Sequence, residues 1–585
     1  MFTLGINAVY HDCSAALIAD GVVLAAAEEE RFTHVKHGKR PVPFSTWQLP
    51  FHAIDFCLRQ AGIHLSQVDR FGYSYDPARL AIGQRLEETI TLPLEPSAAR
   101  VAGVNESPWD PLFLSYIVNA PRQLASGAPH HLAERFRGST HAGIAPRWHF
   151  VEHHLAHEAS AFLASPFEET AVLTMDGRGE RATTSYGVFE NGRYTRIKEV
   201  DLPHSLGLLY EQVTAYLGFL HSSDEYKVMA LASYGEPRYL SAFSEILQVG
   251  DDGGYTTRPP QLEARFGPAR MRGGPLQQIH FDIARSLQLA LEQAVLKMAG
   301  WLQQQTQMDR LCMAGGVALN CVMNSRLRDQ GPFREVWVQP AAGDAGTALG
   351  AALWVDREAR GGADVQRRWV MDHAYLGPAF TDEEIEPFLR WAHIPYRRCD
   401  DVAAEAAALL AQNKVIGWFQ GRMEFGPRAL GARSILASPI DAGMQARLND
   451  IKDREDFRPV APVVLEERAH EWFVEPRRET RTSMVAPFML FVFDVHPDKA
   501  VRIPAVRHVD GTARVQTVNR NQHPMMYALL CEFERRTGVP VLVNTSFNTR
   551  GEPIVCTPRD AVESFWTSPL DALAIGSFLI EKGAL

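Results

Sequence analysis

TLGINAVYHDCSAALIADGVVLAAA, residues 3–27, reads as three short strands in a row. Thr3 to Asn7 is a first strand, and a polar turn around His11 and Asp12 follows it. Ser14 to Ala19 and Val22 to Ala27 make a returning hairpin closed at Asp20-Gly21, a dipeptide suited to a tight turn. Further on, Ala171 to Met175 is an apolar strand ending in Asp176-Gly177, and Leu311 to Met313 is another ending before Gly315-Gly316. Helical periodicity over Ile283 to Met298 precedes the second. Strands alternating with helices, with polar residues gathered at strand ends, predict an α/β architecture.

The 585 residues are 46% hydrophobic and 22% charged, with a formal net charge of −10. This is the composition of a globular protein of two to four domains, and it argues against nucleic acid as a partner. Seven widely spaced cysteines, none in a CxxC pair, indicate neither a disulfide framework nor a thiolate zinc site. No apolar run is long enough to span a membrane and the N-terminus lacks a signal-peptide pattern, so a cytoplasmic protein is expected. A domain change is expected near residue 370, after a helix over Gly350 to Glu358 and before a capping box at Thr381 to Glu384. That gives units of 1–370 and 371–585. The Pro-, Gly- and Ala-rich stretch from Pro77 to Pro146 reads as an insertion or lid.

The second unit contains GRMEFGPRALGARSILASP (Gly421 to Pro439) and, shortly after, IKDREDFRPVAP. Three glycines and two prolines make the first stretch too broken for an amphipathic helix. Arg422, Arg428, Arg433, Lys452, Arg454 and Arg458 concentrate positive charge in an otherwise acidic chain. Guanidinium forks and exposed glycine N–H groups suit phosphate oxygens, so this region is expected to bind phosphate. A solvated basic loop would not interleave Phe425, Leu430, Ile435, Leu436, Ile451 and Phe457 with its cations.

VEHHLAHEAS, residues 151–160, places His153 and His157 four apart, on one face if helical. His154 is three from His157, and helix geometry alone prefers neither pair. Asp176 at its strand end and Asp344 in PAAGDAGTALGAAL complete a set of two imidazoles and two carboxylates. Singly, Asp176 is a turn residue and Asp344 a helix N-cap. Jointly they fit a divalent transition ion, Fe²⁺, Mn²⁺ or Zn²⁺, better than Mg²⁺ alone.

In order along the chain stand HDCSAALIADG, AEEERFTHVKHG, HHLAHEASAF, MDGRGE, HSLGLLY, DEYKVMALASYG, AGGVALNCVMN and GDAGTALGAA. The two basic stretches and VNTSFNTRGEPIV follow. This series resembles the NodU/CmcH-type O-carbamoyltransferases, whose members include a tobramycin carbamoyltransferase, nearly from end to end. The resemblance implies an N-terminal ASKHA (actin-like, TsaD-like) domain and a C-terminal YrdC-like domain. It implies that carbamoyl phosphate and ATP, with Mg²⁺, form carbamoyl-adenylate in the second, and that the first transfers the carbamoyl group to a small-molecule hydroxyl acceptor. It favours His153 over His154 as metal ligand, with Fe²⁺ the leading ion. Ala230 and Ser233 depart from the glycine and proline more usual there, and the long segment from Lys36 to His153 leaves the acceptor open.

On this resemblance Lys452 and Arg458 are the leading carbamoyl-phosphate ligands, with Ser546 and Asn548 of NTSFN at a strand end beside them. In the first unit Lys36, Gly315, Gly316, Asn320 and Gly343 are expected to hold the adenylate. His11 and Asp12 are expected to receive the acceptor's proton, Asp224 to orient or deprotonate it, and Lys227 to be a salt-bridge partner or an acceptor-site cation. A metallopeptidase would need glutamate where His154 stands. An ASKHA-type kinase would not need two histidine ligands, and a catalytically silent nucleotide-binding scaffold would not keep the ligand set. The nearest enzymatic alternative is a tRNA threonylcarbamoyltransferase.

Overall fold

The computed structural model describes residues 1–38, 49–80, 117–118, 120–126, 147–474, 484–549 and 551–582. The Pro77–Pro146 stretch read as an insertion or lid lies mostly outside the described residues. The first expected strands are present as β1 (Phe2–Asn7), β2 (Ser14–Ala19) and β3 (Val22–Glu28). With β4 (Arg70–Tyr73) and β5 (Trp148–Phe150) they form a sheet of order β3-β2-β1-β4-β5. A second sheet is built from β6 (Thr170–Met175), β7 (Ala182–Glu190), β8 (Arg193–Asp201), β9 (Arg310–Ala314) and β10 (Glu335–Val338). Its order is β10-β9-β6-β7-β8, the same topology repeated. In each, the first strand pairs antiparallel with the second and parallel with the fourth. No similarity between the two halves is evident in the sequence, yet the fold is duplicated.

Between the sheets lie helices α1 (His153–Phe162) and α3 (Ala345–Arg360), while α2 (Gln278–Thr306) packs on the second sheet's unit. The small residues of AGTALGAAL decide how closely α3 approaches. A Cβ added at Gly350 would stand 1.8 Å from the Ala156 carbonyl of α1, and one at Gly5 would stand 1.9 Å from the Ala348 carbonyl. Only glycine tolerates such backbone-to-backbone packing. It fixes the N-terminus of α3, and therefore Asp344, against the histidines of α1.

The second part of the chain carries an eight-stranded mixed sheet. Its strands are β11 (Arg397–Arg398), β12 (Ile416–Phe419), β13 (Arg433–Ala437), β14 (Ala461–Leu465), β15 (Gln516–Val518), β16 (Val541–Ser546), β17 (Ala572–Ile575) and β18 (Phe578–Glu581). The order is β11-β18-β17-β12-β13-β16-β14-β15, and its buried residues form a core distinct from those of the first two sheets. The Thr381 capping box is present, the seven cysteines form no disulfide, and no described helix is long and apolar enough to cross a membrane.

Candidate metal centre and cationic site

Helix α1 presents two imidazoles toward the ends of β6 and α3. The Nε2 atoms of His153 and His157 lie 3.5 and 3.4 Å from Asp344 Oδ1, and 3.7 and 3.9 Å from Asp176 Oδ2. All four residues are buried, and one ligand atom from each falls within 4.8 Å of the others. Neither Nε2 makes a hydrogen bond. Buried unpaired nitrogens are costly, and two of them converging on two carboxylates fit the donor set of a divalent transition ion. The outer contacts orient these ligands as such sites require. His153 Nδ1 faces the Ser74 carbonyl at 3.2 Å, the His153 backbone N–H donates to Glu180, and Gly316 N donates to Asp176 Oδ1 at 2.7 Å. Burial pushes the Glu180 carboxyl up to about 7. His154 points away, its Nδ1 3.1 Å from Ser185 Oγ, so the residue that shares the cluster with His157 is His153.

The two glycines before VALN allow close internal packing. Gly315 has φ of +88° and a Cβ there would stand 2.1 Å from the Met175 carbonyl, while Gly316 spends its N–H on Asp176. Asn320 caps the following helix by accepting from Met323 N at 3.0 Å, and it pairs with Gln288 at 2.8 Å.

Beside this four-residue cluster, a turn clamped by Asn7 carries His11 and Asp12. Asn7 Nδ2 donates to both of their carbonyls, at 2.9 and 3.0 Å, which holds Asp12 at a left-handed φ of 46°. Asp12 Oδ2 is 3.0 Å from His11 Nδ1, and Asp12 Oδ1 is 2.8 Å from His37 Nδ1. Burial raises the Asp12 carboxyl, but the two imidazoles together hold it well below the usual carboxylate range. His37 Nε2 lies 3.1 Å from Ser223 Oγ, which also accepts from Lys36 Nζ at 3.3 Å. A Cβ on Gly343 would stand 3.6 Å from Asp12 Oδ2, so this cluster borders the loop that carries Asp344. Asp224 accepts from Leu220 N at 3.1 Å and pairs with Lys227 at 3.1 Å; Lys227 also bridges to Glu455 at 2.9 Å. Lys227 is thus a salt-bridge partner.

The basic residues divide. Arg433 is fully buried, donates to the carbonyls of Pro378, Gln420, Gly421 and Ala432, and stacks 3.6 Å from the Phe419 ring centroid. Arg422 likewise donates to the carbonyls of Leu24, Leu376 and Gly377. Both hold the Gly421–Pro439 stretch in place and stand apart from the rest. Lys452, Arg454 and Arg458 converge, with Arg428 beside them. Lys452 Nζ donates to the Ser546 carbonyl, to Ser546 Oγ at 3.2 Å and to Asn548 Oδ1 at 2.7 Å. Burial, then Arg454 and Arg458, lower the Lys452 ammonium well below its ordinary value. Burial and neighbouring cations likewise push Arg428 and Arg454 down to about 9. Arg514, missed in the sequence, joins them: it acts on both Arg428 and Arg454. Buried Arg428 Nε and Arg454 Nη2 make no hydrogen bond. Cations gathered at such electrostatic cost are offset by an anion. The first unit lines this place too, with Tyr226 under Arg458 at 4.8 Å and the Leu319 carbonyl 3.4 Å from Arg428.

A buried cluster of two imidazoles and two carboxylates and a partly buried cationic cluster thus stand on an α/β fold with a duplicated sheet and a mixed sheet. Residues 3–353 match the family model described as carbamoyltransferase N-terminus, and residues 407–582 match carbamoyltransferase C-terminus. The chain belongs to the carbamoyltransferase family and is a carbamoyltransferase. It is 41% identical to Uncharacterized protein sll1178 of Synechocystis sp., over 99% of this chain and 97% of that one. It is also 41% identical to Nodulation protein NolNO of Sinorhizobium fredii, over 98% and 80%. Nodulation protein NolO of Bradyrhizobium diazoefficiens is 43% identical over 74% and 79%.

Proposed function

We propose that this carbamoyltransferase works in two half-reactions, on an ASKHA-like unit of residues 1–370 and a YrdC-like unit of residues 371–585. Carbamoyl phosphate and ATP, with Mg²⁺, give carbamoyl-adenylate at Lys452, Arg454, Arg458, Arg428, Ser546 and Asn548. The carbamoyl group then passes to a hydroxyl of a small secondary metabolite of antibiotic type beside His153, His157, Asp176 and Asp344. The observation that carries this reading is the pairing of a site where, among the described residues, cations outnumber the facing carboxylates Glu455, 3.7 Å from Arg458, and Glu552 with an adjoining cluster that could hold a metal ion. The cations neutralise phosphate oxygens and hold the reacting groups in line. A divalent ion held by these four residues, Fe²⁺ in our reading, would supply Lewis acidity for the departing phosphate. Lys36 adds positive charge near that phosphate, and His11 and Asp12 flank the acceptor. Burial of Lys452 and of the four-residue cluster limits the access of water to a labile mixed anhydride.

The test incubates the full chain with carbamoyl phosphate, ATP and Mg²⁺, and follows pyrophosphate and AMP. Lys452→Ala should lose pyrophosphate release, and added carbamoyl-adenylate should restore carbamoyl transfer. Failure of that rescue in a folded, metal-loaded Lys452→Ala protein would replace two centres by one composite site. Activity with threonine and bicarbonate instead of carbamoyl phosphate would point to threonylcarbamoyl transfer.

A further inference from the structure

The hydrogen-bond partners of the His11–Asp12–His37 cluster fix where its protons sit. His11 Nδ1 faces the Asp12 carboxylate at 3.0 Å and His11 Nε2 faces the Ser222 carbonyl at 2.5 Å. Both partners only accept, so both ring nitrogens must donate and His11 is an imidazolium. His37 has a different pair. Its Nδ1 donates to Asp12 Oδ1 at 2.8 Å, but its Nε2 meets a hydroxyl, Ser223 Oγ, at 3.1 Å. Lys36 Nζ, which can only donate, takes one lone pair of that hydroxyl oxygen from 3.3 Å and leaves the Ser223 proton free to turn toward His37, as a neutral His37 requires. The two imidazole centroids are 3.9 Å apart over a single carboxylate. Two cations at that separation would repel, and Asp12 compensates only one. The pair therefore holds one charge, on His11, and His37 is neutral with Nε2 as acceptor.

We propose that His37, not His11, is the general base that takes the acceptor's proton. The proposal rests on the two-step reading above. Ser223 Oγ marks where an alcohol oxygen is accommodated against Nε2. In the transfer step the acceptor O–H bond breaks and its proton goes to His37 Nε2. The acceptor oxygen bonds to the carbamoyl carbon, and the bond from that carbon to the AMP phosphate oxygen breaks, its electron pair leaving with AMP. Asp12 holds His37 in the tautomer that exposes Nε2 and stabilises the charge it gains, the part a carboxylate plays for a catalytic imidazole. His11 stays charged as a fixed donor. None of the metal ligands supplies this proton acceptor, and His37 side-chain exposure of 24% leaves a reagent access to it.

The experiment reads the proton state and the chemistry separately. Diethyl pyrocarbonate acylates only an unprotonated imidazole nitrogen, so mass-spectrometric mapping of the full chain at pH 7 should find His37 modified ahead of His11. Earlier modification of His11 overturns the proposal and leaves carbamoyl-phosphate-dependent pyrophosphate release, the sign of the two-step reading, unaffected. With carbamoyl phosphate and ATP, hydroxylamine is a nucleophile that needs no base at pH 7. His37→Gln should form hydroxyurea from it near the wild-type rate, while its AMP release with water as nucleophile falls about 100-fold. Equal losses in both assays would mean that His37 only supports the fold. The pH profile of water-driven AMP release should lose its acidic limb in His37→Gln. The charged groups facing His37 are Asp12, His11, Lys36 and Glu30, with Glu225 behind Ser222. Retention of that limb would assign it to Glu225, whose carboxyl burial pushes up to about 7, and would sink the proposal.

Discussion

Helix α1 and the ends of β6 and α3 bring two bare ring nitrogens against two carboxylates. The stretch from Arg428 to Arg514 instead brings cations together around Lys452, with Glu455 as the carboxylate in contact. The first is fully buried and the second partly so, with Lys452 its buried member, and in both, polar atoms are left without hydrogen bonds. They differ in how rigidly the chain builds them. The His153, His157, Asp176 and Asp344 cluster sits at regular elements locked by glycine positions where an added Cβ would stand under 2 Å from a neighbouring carbonyl, the rigidity that a proposed metal site needs. The cations come from a loop, a helix end and isolated strand positions, and they are held mainly by carbonyl and amide oxygens. A fixed ion needs fixed ligands, whereas a reactant that must enter and leave is suited to flexible cationic side chains on a shaped loop.

The largest effect expected on the first side is from His157→Ala, which removes one ligand of four. It should lower metal retention through dialysis by at least about 100-fold and abolish carbamoyl transfer. His154→Ala should keep the metal, and elemental analysis showing the opposite order would break the assignment. On the other side, Lys452→Ala and Arg458→Ala should slow carbamoyl-phosphate-dependent pyrophosphate release by about 10² to 10³. Unchanged release in either would place the phosphate elsewhere.

The same contrast explains what could be read in the sequence. Strands Ser14–Ala19 and Thr170–Met175 were legible because an apolar run bounded by polar turns admits little else, and the ligand set because helix periodicity brings His153 and His157 together. The sequence could not choose between His153 and His154, since that depends on Ser185, 31 residues past His154. Nor could it separate Arg433 from Arg428, five positions apart, one at the start of a strand facing carbonyls and the other in the preceding loop facing cations. Arg514 stands alone in TARVQT, and His37 meets Asp12 across 25 residues, so neither leaves a local pattern. Lys36 and His37 were visible as residues; only the Asp12 turn gives His37 a role.

A smaller effect tests whether the arginines are of two kinds. Arg433→Ala removes a fully buried guanidinium that donates to four carbonyls and stacks on Phe419, and should destabilise the protein by about 3 kcal/mol. Arg454→Ala removes a buried cation from among like charges and should change stability by less than about 1 kcal/mol, or raise it. Urea midpoints for the two variants should therefore fall on different sides of that gap. Similar losses would mean that Arg454 is held as structurally as Arg433.

The smallest effect concerns protons on Lys452. Its ammonium is held below the ordinary 10.5 by burial and by Arg454 and Arg458. Between its folded value and 10.5 the unfolded chain binds more protons than the native one, so stability should rise with pH across that window. A bound anion reverses the cause, since negative charge beside the ammonium raises its proton affinity. Sulfate, whose charge is constant across neutral and alkaline pH, is therefore expected to bind with uptake of a fraction of a proton. Its affinity should weaken as pH rises through the Lys452 titration. Calorimetry in two buffers of different ionisation enthalpy measures that uptake directly, and Lys452→Met should abolish it. Uptake that persists in Lys452→Met would move the titrating group elsewhere in the cluster. Proton release instead would mean that sulfate does not sit against these cations at all, and the charge contrast between the two centres would lose its functional meaning.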